Sequence, residues 1–138
     1  MKEKGIQWHP PYIAAMNLEL IDDRENFRFE PEYVLNTGAL KIDLFMENRE
    51  NKVVGNEIGK LFQKYNILEY KNPNDALDID VFIKVQGYAC LFKAYGEKSD
   101  CRKIESITVS LIRETRPDKL FRYFKQHNVS VEIPYQGI

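Results

Sequence analysis

The sequence has few residues of the kinds that build histidine-based or cysteine-based sites. Its 138 residues include two histidines, His9 and His127, and two cysteines, Cys90 and Cys101. Two histidines exclude a multi-histidine zinc site and leave little for a Ser-His-Asp triad. The cysteines lack metal-like spacing, so we expect reduced thiols in a cytoplasmic protein. The sequence also lacks a glycine-rich phosphate loop and a G-x-S-x-G motif.

Long apolar runs and an excess of one charge are missing as well. No apolar run approaches the ~20 residues that a membrane span needs, and no apolar stretch follows the first five residues as in a signal peptide. The formal net charge is -1, so any nucleic-acid binding would require a local basic patch. We therefore expect no membrane partner. The length and the 43% hydrophobic content predict a single domain over residues 1–138.

Hydrophobic periodicity predicts an α/β chain, of the α+β type with a mixed sheet. The predicted helices cover about residues 10–24, 54–62, 78–95 and 117–127. The predicted strands cover about residues 27–35, 39–46, 66–71, 106–111 and 129–135. The early strands are close enough for antiparallel pairing, and the strand-helix-strand unit over 66–112 is long enough for a parallel crossover.

Charged residues interrupt two of the apolar strands. Asp43 lies within the strand over 40–45, and Glu69 and Lys71 lie at the end of the strand over 66–71. Residues two apart on a strand emerge on the same side, roughly 7 Å apart. If the strands are neighbours, Asp43 reaches the same place. Two carboxylates can hold Mg²⁺ with waters and phosphate oxygens, and a lysine beside them can orient or deprotonate a bound water.

Two other interpretations of this pattern stay open. A second Glu-x-Lys, Glu50-Asn51-Lys52, lies in a polar turn and is expected to be solvated surface. The strand ending in Glu69-Tyr70-Lys71 could equally be an exposed edge with a cross-strand ion pair. Glu-x-Lys alone therefore proves little, and the hypothesis depends on Asp43 lying beside Glu69.

The wider chain resembles the PD-(D/E)XK nuclease superfamily. That superfamily has a helix-strand-strand-strand-helix-strand core, with Asp on the second core strand and Glu/Asp-x-Lys on the third. Residues 41–43 and 69–71 occupy those places, and the resemblance covers about residues 8–134. Several segments are also similar to a bacterial group related to the transposase-related, recombination-promoting nucleases. These segments are Trp8-His9-Pro10, Leu40-Lys41-Ile42-Asp43, Asn56-Glu57-Ile58-Gly59, Tyr65-Asn66-Ile67-Leu68-Glu69-Tyr70-Lys71 and Gly87-Tyr88-Ala89-Cys90.

The resemblance implies a restriction-endonuclease-like core with an added C-terminal helix and strand. It implies a nuclease that uses Mg²⁺ (or Mn²⁺) to hydrolyse phosphodiester bonds in nucleic acid, with DNA as the expected partner. Asp43, Glu69 and the backbone carbonyl of Tyr70 would bind the metal, and Lys71 would activate water. The alternative is a catalytically inactive module of this fold that binds nucleic acid or protein. A homodimer is compatible with both.

The chain departs from the family pattern at two places. Ile42 stands where the motif has proline, which carries no chemistry, and a short helix is inserted between Asp43 and Glu69. The insertion could displace Asp43 from the third core strand.

The resemblance also suggests further site residues. Superfamily members often add a Glu from the first helix, for which Glu19 is the candidate and Glu57 a weaker rival. Relatives use a polar residue and a Tyr one turn apart after the Lys; Lys84 and Tyr88 have this spacing, and Gln86 ranks lower. These residues also have a purely structural interpretation. Glu19 would then lie on a solvated helix face, and Lys84 would be a surface residue one turn before a core Tyr88.

Basic residues recur every three positions near the end of the chain. They are Arg113, Arg116, Lys119, Arg122 and Lys125. Such a stripe could hold a DNA backbone. The solvated side of an amphipathic helix with Leu120, Tyr123 and Phe124 in the core explains it as well, and the sequence favours that interpretation.

Overall fold

The computed structural model describes residues 9–35, 38–50 and 52–138 as an α+β fold. A boundary between two compact units falls between Ala39 and Leu40. The described residues contain three α-helices and a three-stranded mixed sheet. The helices are α1 (His9–Glu19), α2 (Ile79–Ala94) and α3 (Asp118–Gln126), and the strands are β1 (Leu44–Glu47), β2 (Tyr65–Tyr70) and β3 (Ile107–Ile112). The single domain predicted over 1–138 remains a prediction.

The first unit contains α1 and a 3-10 helix over Ile21–Asn26. The predicted helix was expected to reach residue 24, but its α-helical part ends at Glu19. The predicted strand over 27–35 is wrong, because Pro31 and Glu32 form a turn. Glu32 has a left-handed φ of 52°, which reverses the chain, and proline has no N–H for a ladder. The segment containing Trp8 and most of the turn over 36–38 lie outside the described residues.

The sheet of the second unit has the order β1-β2-β3. β1 pairs with β2 antiparallel, with Leu44 opposite Leu68, and β2 pairs with β3 parallel, with Tyr65 opposite Ile107. Both pairings were predicted from the spacing of the elements and are confirmed. α2 forms the crossover between the parallel strands. Asp78 caps this helix, since its side chain accepts hydrogen bonds from the backbone N–H groups of Asp80 (3.1 Å) and Val81 (3.2 Å).

α2 covers the sheet face on which Tyr65, Ile67 and Glu69 lie. At one end of this face, the ring of Phe92 packs against the rings of Tyr65 (5.3 Å between centroids) and Phe45 (4.9 Å). In the middle, Ile67 and Val85 are completely buried. Each such side chain stabilises the fold by about 1.5–3 kcal/mol. The helix therefore removes water from the face that carries Glu69.

A second apolar cluster joins α3 to the sheet. Its buried members are Leu77, Leu120 and Phe124. Phe124 contacts the ring of Phe82 on α2 at 5.1 Å between centroids, and Leu111 of β3 packs against the same cluster. Because Leu111 precedes the last residue of β3, α3 is fixed near the carboxyl ends of the two parallel strands.

Three further expectations differ from the structure. The predicted strand over 129–135 is wrong: Val129, Val131 and Ile133 alternate, but they pair with no described strand and are 47%, 47% and 76% exposed. The predicted helix over 54–62 is reduced to a 3-10 turn over Glu57–Gly59. β1 begins at Leu44 and not near residue 39. No helix within the described ranges is both long enough and apolar enough to cross a bilayer.

Candidate metal centre

Asp43 lies directly before β1 and is held against the end of β2. The register sets Leu44 opposite Leu68, so continuing it by one residue sets Asp43 opposite Glu69. Asp43 Oδ2 accepts a hydrogen bond of 3.1 Å from the backbone N–H of Tyr70. This bond takes the place of a ladder bond at the strand end. The Asp43 carboxylate, exposed to solvent, is thereby fixed at the carboxyl end of β2.

Glu69 is the most deeply buried of the charged residues that the structure describes, at 4% exposure. Its Oε1 lies 3.1 Å from Nζ of Lys71. Its Oε2 is buried and has no hydrogen-bond partner among the described residues. Buried polar atoms in native proteins are almost always satisfied, and an exception indicates a functional group or a bound ion or water. The unpartnered oxygen is therefore the strongest local sign of a ligand site.

Lys71 continues β2 by one residue, since its backbone N–H donates to the carbonyl of Ile112 at 2.9 Å. Its side chain is 19% exposed. The hydrogen bond that Lys71 donates to Glu69 raises the pKa of Lys71, and the charges of Glu69, Asp43 and Asp75 act in the same direction against the opposing effect of burial. Lys71 is therefore a protonated cation at neutral pH, paired with the Glu69 carboxylate.

The backbone of Tyr70 adds a carbonyl to this group. In a strand the N–H and C=O of one residue face the same neighbouring strand. The N–H of Tyr70 points at Asp43, so its carbonyl oxygen also faces the side on which Asp43 lies. This orientation agrees with the predicted role of the Tyr70 carbonyl as a metal ligand, which remains a prediction.

The loop after Lys71 contains an acidic residue that sequence reasoning did not single out. Asn72 Oδ1 accepts hydrogen bonds from the backbone N–H groups of Asn74 (2.8 Å) and Asp75 (3.1 Å). This side-chain-stabilised turn folds the chain back so that the charge of Asp75 acts on Lys71. A turn-forming Asn-Pro-Asn-Asp segment immediately after the Glu-x-Lys was the available signal.

Arg113 stabilises the same loop from β3. Continuing the parallel register by one residue sets Arg113 beside Lys71. Its Nη2 donates a hydrogen bond of 2.7 Å to the carbonyl of Pro73. Its Nε is buried without a partner among the described residues. A second cation thus lies at the carboxyl end of the parallel strands.

Asn66 anchors the start of β2 and is only 2% exposed, although no pattern in the sequence predicts its burial. Its Oδ1 accepts from Thr108 Oγ1 (2.7 Å) on β3 and from the backbone N–H of Gln63 (2.9 Å). Its Nδ2 donates to the carbonyl of Gln63 at 2.8 Å. This satisfied buried amide fixes the β2–β3 register, on which the positions of Glu69 and Lys71 depend.

The remaining predicted site residues are not joined to this group. Glu19 is the exposed last residue of α1, in the other unit. Glu57 is exposed in the 3-10 turn, Lys84 is exposed on α2, and Tyr88 is half-buried one turn later. Glu57, Lys84 and Tyr88 make no hydrogen bond or ion pair with Asp43, Glu69 or Lys71 in the described part of the second unit. Their site roles remain predictions.

The donor set suits a hard cation better than zinc. The described residues contain no group of three or more His, Cys, Asp or Glu side chains that could hold a metal ion. Mg²⁺ needs fewer protein ligands, because it keeps several waters and is commonly bound through one or two carboxylates. Asp43, the unpartnered oxygen of Glu69 and the Tyr70 carbonyl therefore fit Mg²⁺ or Mn²⁺. They do not fit the nitrogen and sulfur preference of zinc.

The arrangement thus brings two carboxylates, a carbonyl and two cations to one edge of the sheet.

Comparison with models of protein families, with characterised proteins and with solved structures gives no match. What is established about the architecture is the α+β fold itself, three helices with a three-stranded mixed sheet, in the described part of the chain.

Proposed function

We propose that the protein is a metal-dependent nuclease with a restriction-endonuclease-like core, which hydrolyses phosphodiester bonds in DNA. One observation carries the proposal. Glu69 is buried with an unpartnered carboxylate oxygen, opposite Asp43 and in contact with Lys71. A buried carboxylate without a full set of partners costs stability, so a functional reason for it is expected.

In this proposal Asp43, Glu69 and the Tyr70 carbonyl hold one Mg²⁺ or Mn²⁺. A bound ion there would neutralise charge on the substrate phosphate and lower the pKa of a coordinated water. Asp43 reaches the site from β1, while Glu69 and Tyr70 reach it from β2. The hydrogen bond between Asp43 and the Tyr70 N–H keeps the two strands in fixed register at this point.

Lys71 contributes a positive charge next to the reacting phosphate. Because its pKa is raised by Glu69, it carries its proton at neutral pH and is a donor and not a base in the metal-free protein. An ammonium group at this position can orient the attacking water and stabilise charge that develops on the phosphate oxygens. Arg113 holds the loop after Lys71 through its hydrogen bond to the Pro73 carbonyl, and the negative charge of Asp75 in that loop acts on Lys71.

The test is cleavage of plasmid and short duplex DNA with Mg²⁺, with Mn²⁺ and with EDTA. Asp43→Asn removes the charge while its side-chain oxygen can still accept from Tyr70. We expect Asp43→Asn and Lys71→Met each to lower metal-dependent cleavage by about 100-fold or more. The matched controls are Glu50→Gln and Lys52→Met in the exposed copy of the motif, and these should cleave normally. Undiminished cleavage by both site variants would refute the nuclease assignment.

A non-catalytic binding module of the same fold is the second candidate. It is favoured by the lack of a third acidic, histidine or cysteine ligand near Asp43 and Glu69 in the described residues. Mn²⁺ titration by calorimetry separates the two candidates. Binding that is lost in Glu69→Gln supports the nuclease, whereas no binding up to millimolar Mn²⁺ supports the module.

A further inference from the structure

α3 has one apolar face and one cationic face. Leu120 and Phe124 are 4% and 8% exposed and pack into the protein. The exposed residues Lys119, Arg122 and Lys125 follow one another at three-residue intervals on the opposite side of the helix. We name these three residues the α3 basic face. The segment over 113–125 contains five basic and two acidic residues in a chain whose net charge is -1.

Most of this positive charge is not neutralised by neighbours. Asp118 lies on the same side of the helix, but Arg116 pairs with it at 3.2 Å. Lys119 reaches Asp78 only at 3.8 Å, and both Lys119 and Arg116 are largely exposed. Arg122 and Lys125 have no carboxylate partner among the described residues.

Other lysines of the molecule behave differently. Lys93 and Lys103 both contact Asp100. These pairs cancel their own fields at short range. Arg122 and Lys125, which lack such a partner in the described part of the chain, lie three residues apart on one side of α3. Two neighbouring unpaired cations favour a polyanionic partner over ordinary solvation.

α3 itself is packed near the candidate metal centre. Leu120 and Phe124 anchor α3 on the cluster that includes Leu111, and the parallel register sets Leu111 beside Glu69. Arg113 lies between the two regions, beside Lys71 in the register and bonded to the Pro73 carbonyl. Arg113 and the helix that carries the α3 basic face thus lie at the same end of the parallel strands.

We propose that the α3 basic face binds the phosphate backbone of a nucleic-acid duplex and holds it across the edge that carries Lys71. The identity of the polymer, DNA, rests on the proposed nuclease function. Duplex DNA carries one negative charge per about 1.7 Å of its axis, so each cation of a short helix can meet a phosphate. Contacts of this type set position and affinity without reading sequence.

The test is fluorescence anisotropy of a short labelled DNA duplex of mixed sequence, in EDTA and over a series of salt concentrations. The double variant Arg122→Gln/Lys125→Gln should bind roughly tenfold or more weakly at low salt. Its plot of log affinity against log salt should be about 1.8 units less steep, because each lost phosphate contact removes about 0.9. Lys60→Gln/Lys98→Gln, which removes the same charge from exposed sites outside α3, should bind normally.

Three outcomes would overturn the inference. The first is an unchanged affinity and salt slope in the α3 double variant, and the second is an equal loss in the control variant, which would indicate net charge alone. Anionic phosphatidylserine vesicles serve as a competing surface. Binding of these vesicles through Arg122 and Lys125, with no DNA binding, would also contradict it. Circular dichroism confirms that each variant is folded.

The failure of this inference is distinguishable from failure of the nuclease assignment. Asp43→Asn should still bind DNA in EDTA with the native salt slope, although it loses cleavage. The α3 double variant should still bind Mn²⁺ by calorimetry, because its substitutions are outside the metal ligands. A protein that binds DNA through α3 and never cleaves it would support this inference and refute catalysis.

Discussion

The same short motif, Glu-x-Lys, occurs at two places in this protein with opposite surroundings. The side chains of Glu69 and Lys71 are 5% and 19% exposed, whereas those of Glu50 and Lys52 are 68% and 76% exposed. Both copies form an ion pair. An exposed pair contributes little because water screens it, while a buried pair is expensive to desolvate and to break. Burial, and not the motif, distinguishes a candidate site from ordinary surface.

The neighbours of the two motifs differ as well. Glu69 is flanked by β3 on one side and by Asp43 on the other, with α2 covering the face. Glu50 and Lys52 lie in the loop after β1, where Asn48 hydrogen-bonds the backbone of Lys52 through its side chain. The Glu50 carboxylate is exposed and hydrated, so a metal ion that bound there would have to displace water from it. One bound by Glu69 would satisfy an oxygen that is already desolvated.

The largest expected difference comes from removing one charge in each motif. Glu69→Gln leaves the mostly buried Lys71 ammonium without its carboxylate, and should lower the free energy of unfolding by about 3 kcal/mol. Glu50→Gln should change it by less than about 0.5 kcal/mol, since the pair is exposed. Urea denaturation at neutral pH measures both. Equal stability of the two variants would show that burial does not distinguish the motifs.

A smaller effect is expected when both charges of the buried motif are replaced together. Glu69→Leu/Lys71→Met should unfold with a free energy within about 1 kcal/mol of the native protein or above it, because neither charge is then buried alone. The same variant should show no Mn²⁺ binding by calorimetry. This result would indicate that the charges are kept for function at a cost in stability. A double variant as unstable as Glu69→Gln would contradict that conclusion.

The smallest effect concerns the surface contacts of Asp100 with Lys93 and Lys103. Hydrogen bonds from Lys103 and Lys93 lower the pKa of Asp100 to about 2. Its contribution to stability is present above the pKa of an unfolded aspartate, about 3.9, and is lost as the pH falls through about 2. Carboxyl NMR should give Asp100 a midpoint near 2 and a higher one in Lys103→Met. A midpoint near the ordinary value in the native protein would show that water screens this contact completely.

The middle of the fold could be predicted from the sequence, whereas its ends could not. β2, α2 and β3 begin and end within one or two residues of the predicted positions. β2 is a short apolar run, β3 alternates apolar and polar residues, and α2 has an N-terminal Asp cap. The segments over 27–35 and 129–135 have the same alternation of apolar residues as β3. They form no strand in the structure, because an alternating pattern also needs a neighbouring strand to supply hydrogen bonds.

The candidate site was predictable to a similar extent. Asp43, Glu69 and Lys71 were chosen from charge on apolar strands, and the structure brings them together. Asp75 was missed because it acts through space from a turn and belongs to no motif. Lys84 was chosen for its spacing from Tyr88, but spacing along a helix does not determine which face meets the sheet.

The sequence by itself determined the kinds of residue available, the periods of the central elements, and the near-zero net charge that requires any nucleic-acid surface to be local. It also placed an acid and a base on one side of β2. Only the tertiary structure decided which Glu-x-Lys is buried, that Asp43 lies opposite Glu69, and that α3 packs near the carboxyl ends of the parallel strands. The physical reason is that burial, register and electrostatic field depend on neighbours distant in the chain, which local patterns do not specify.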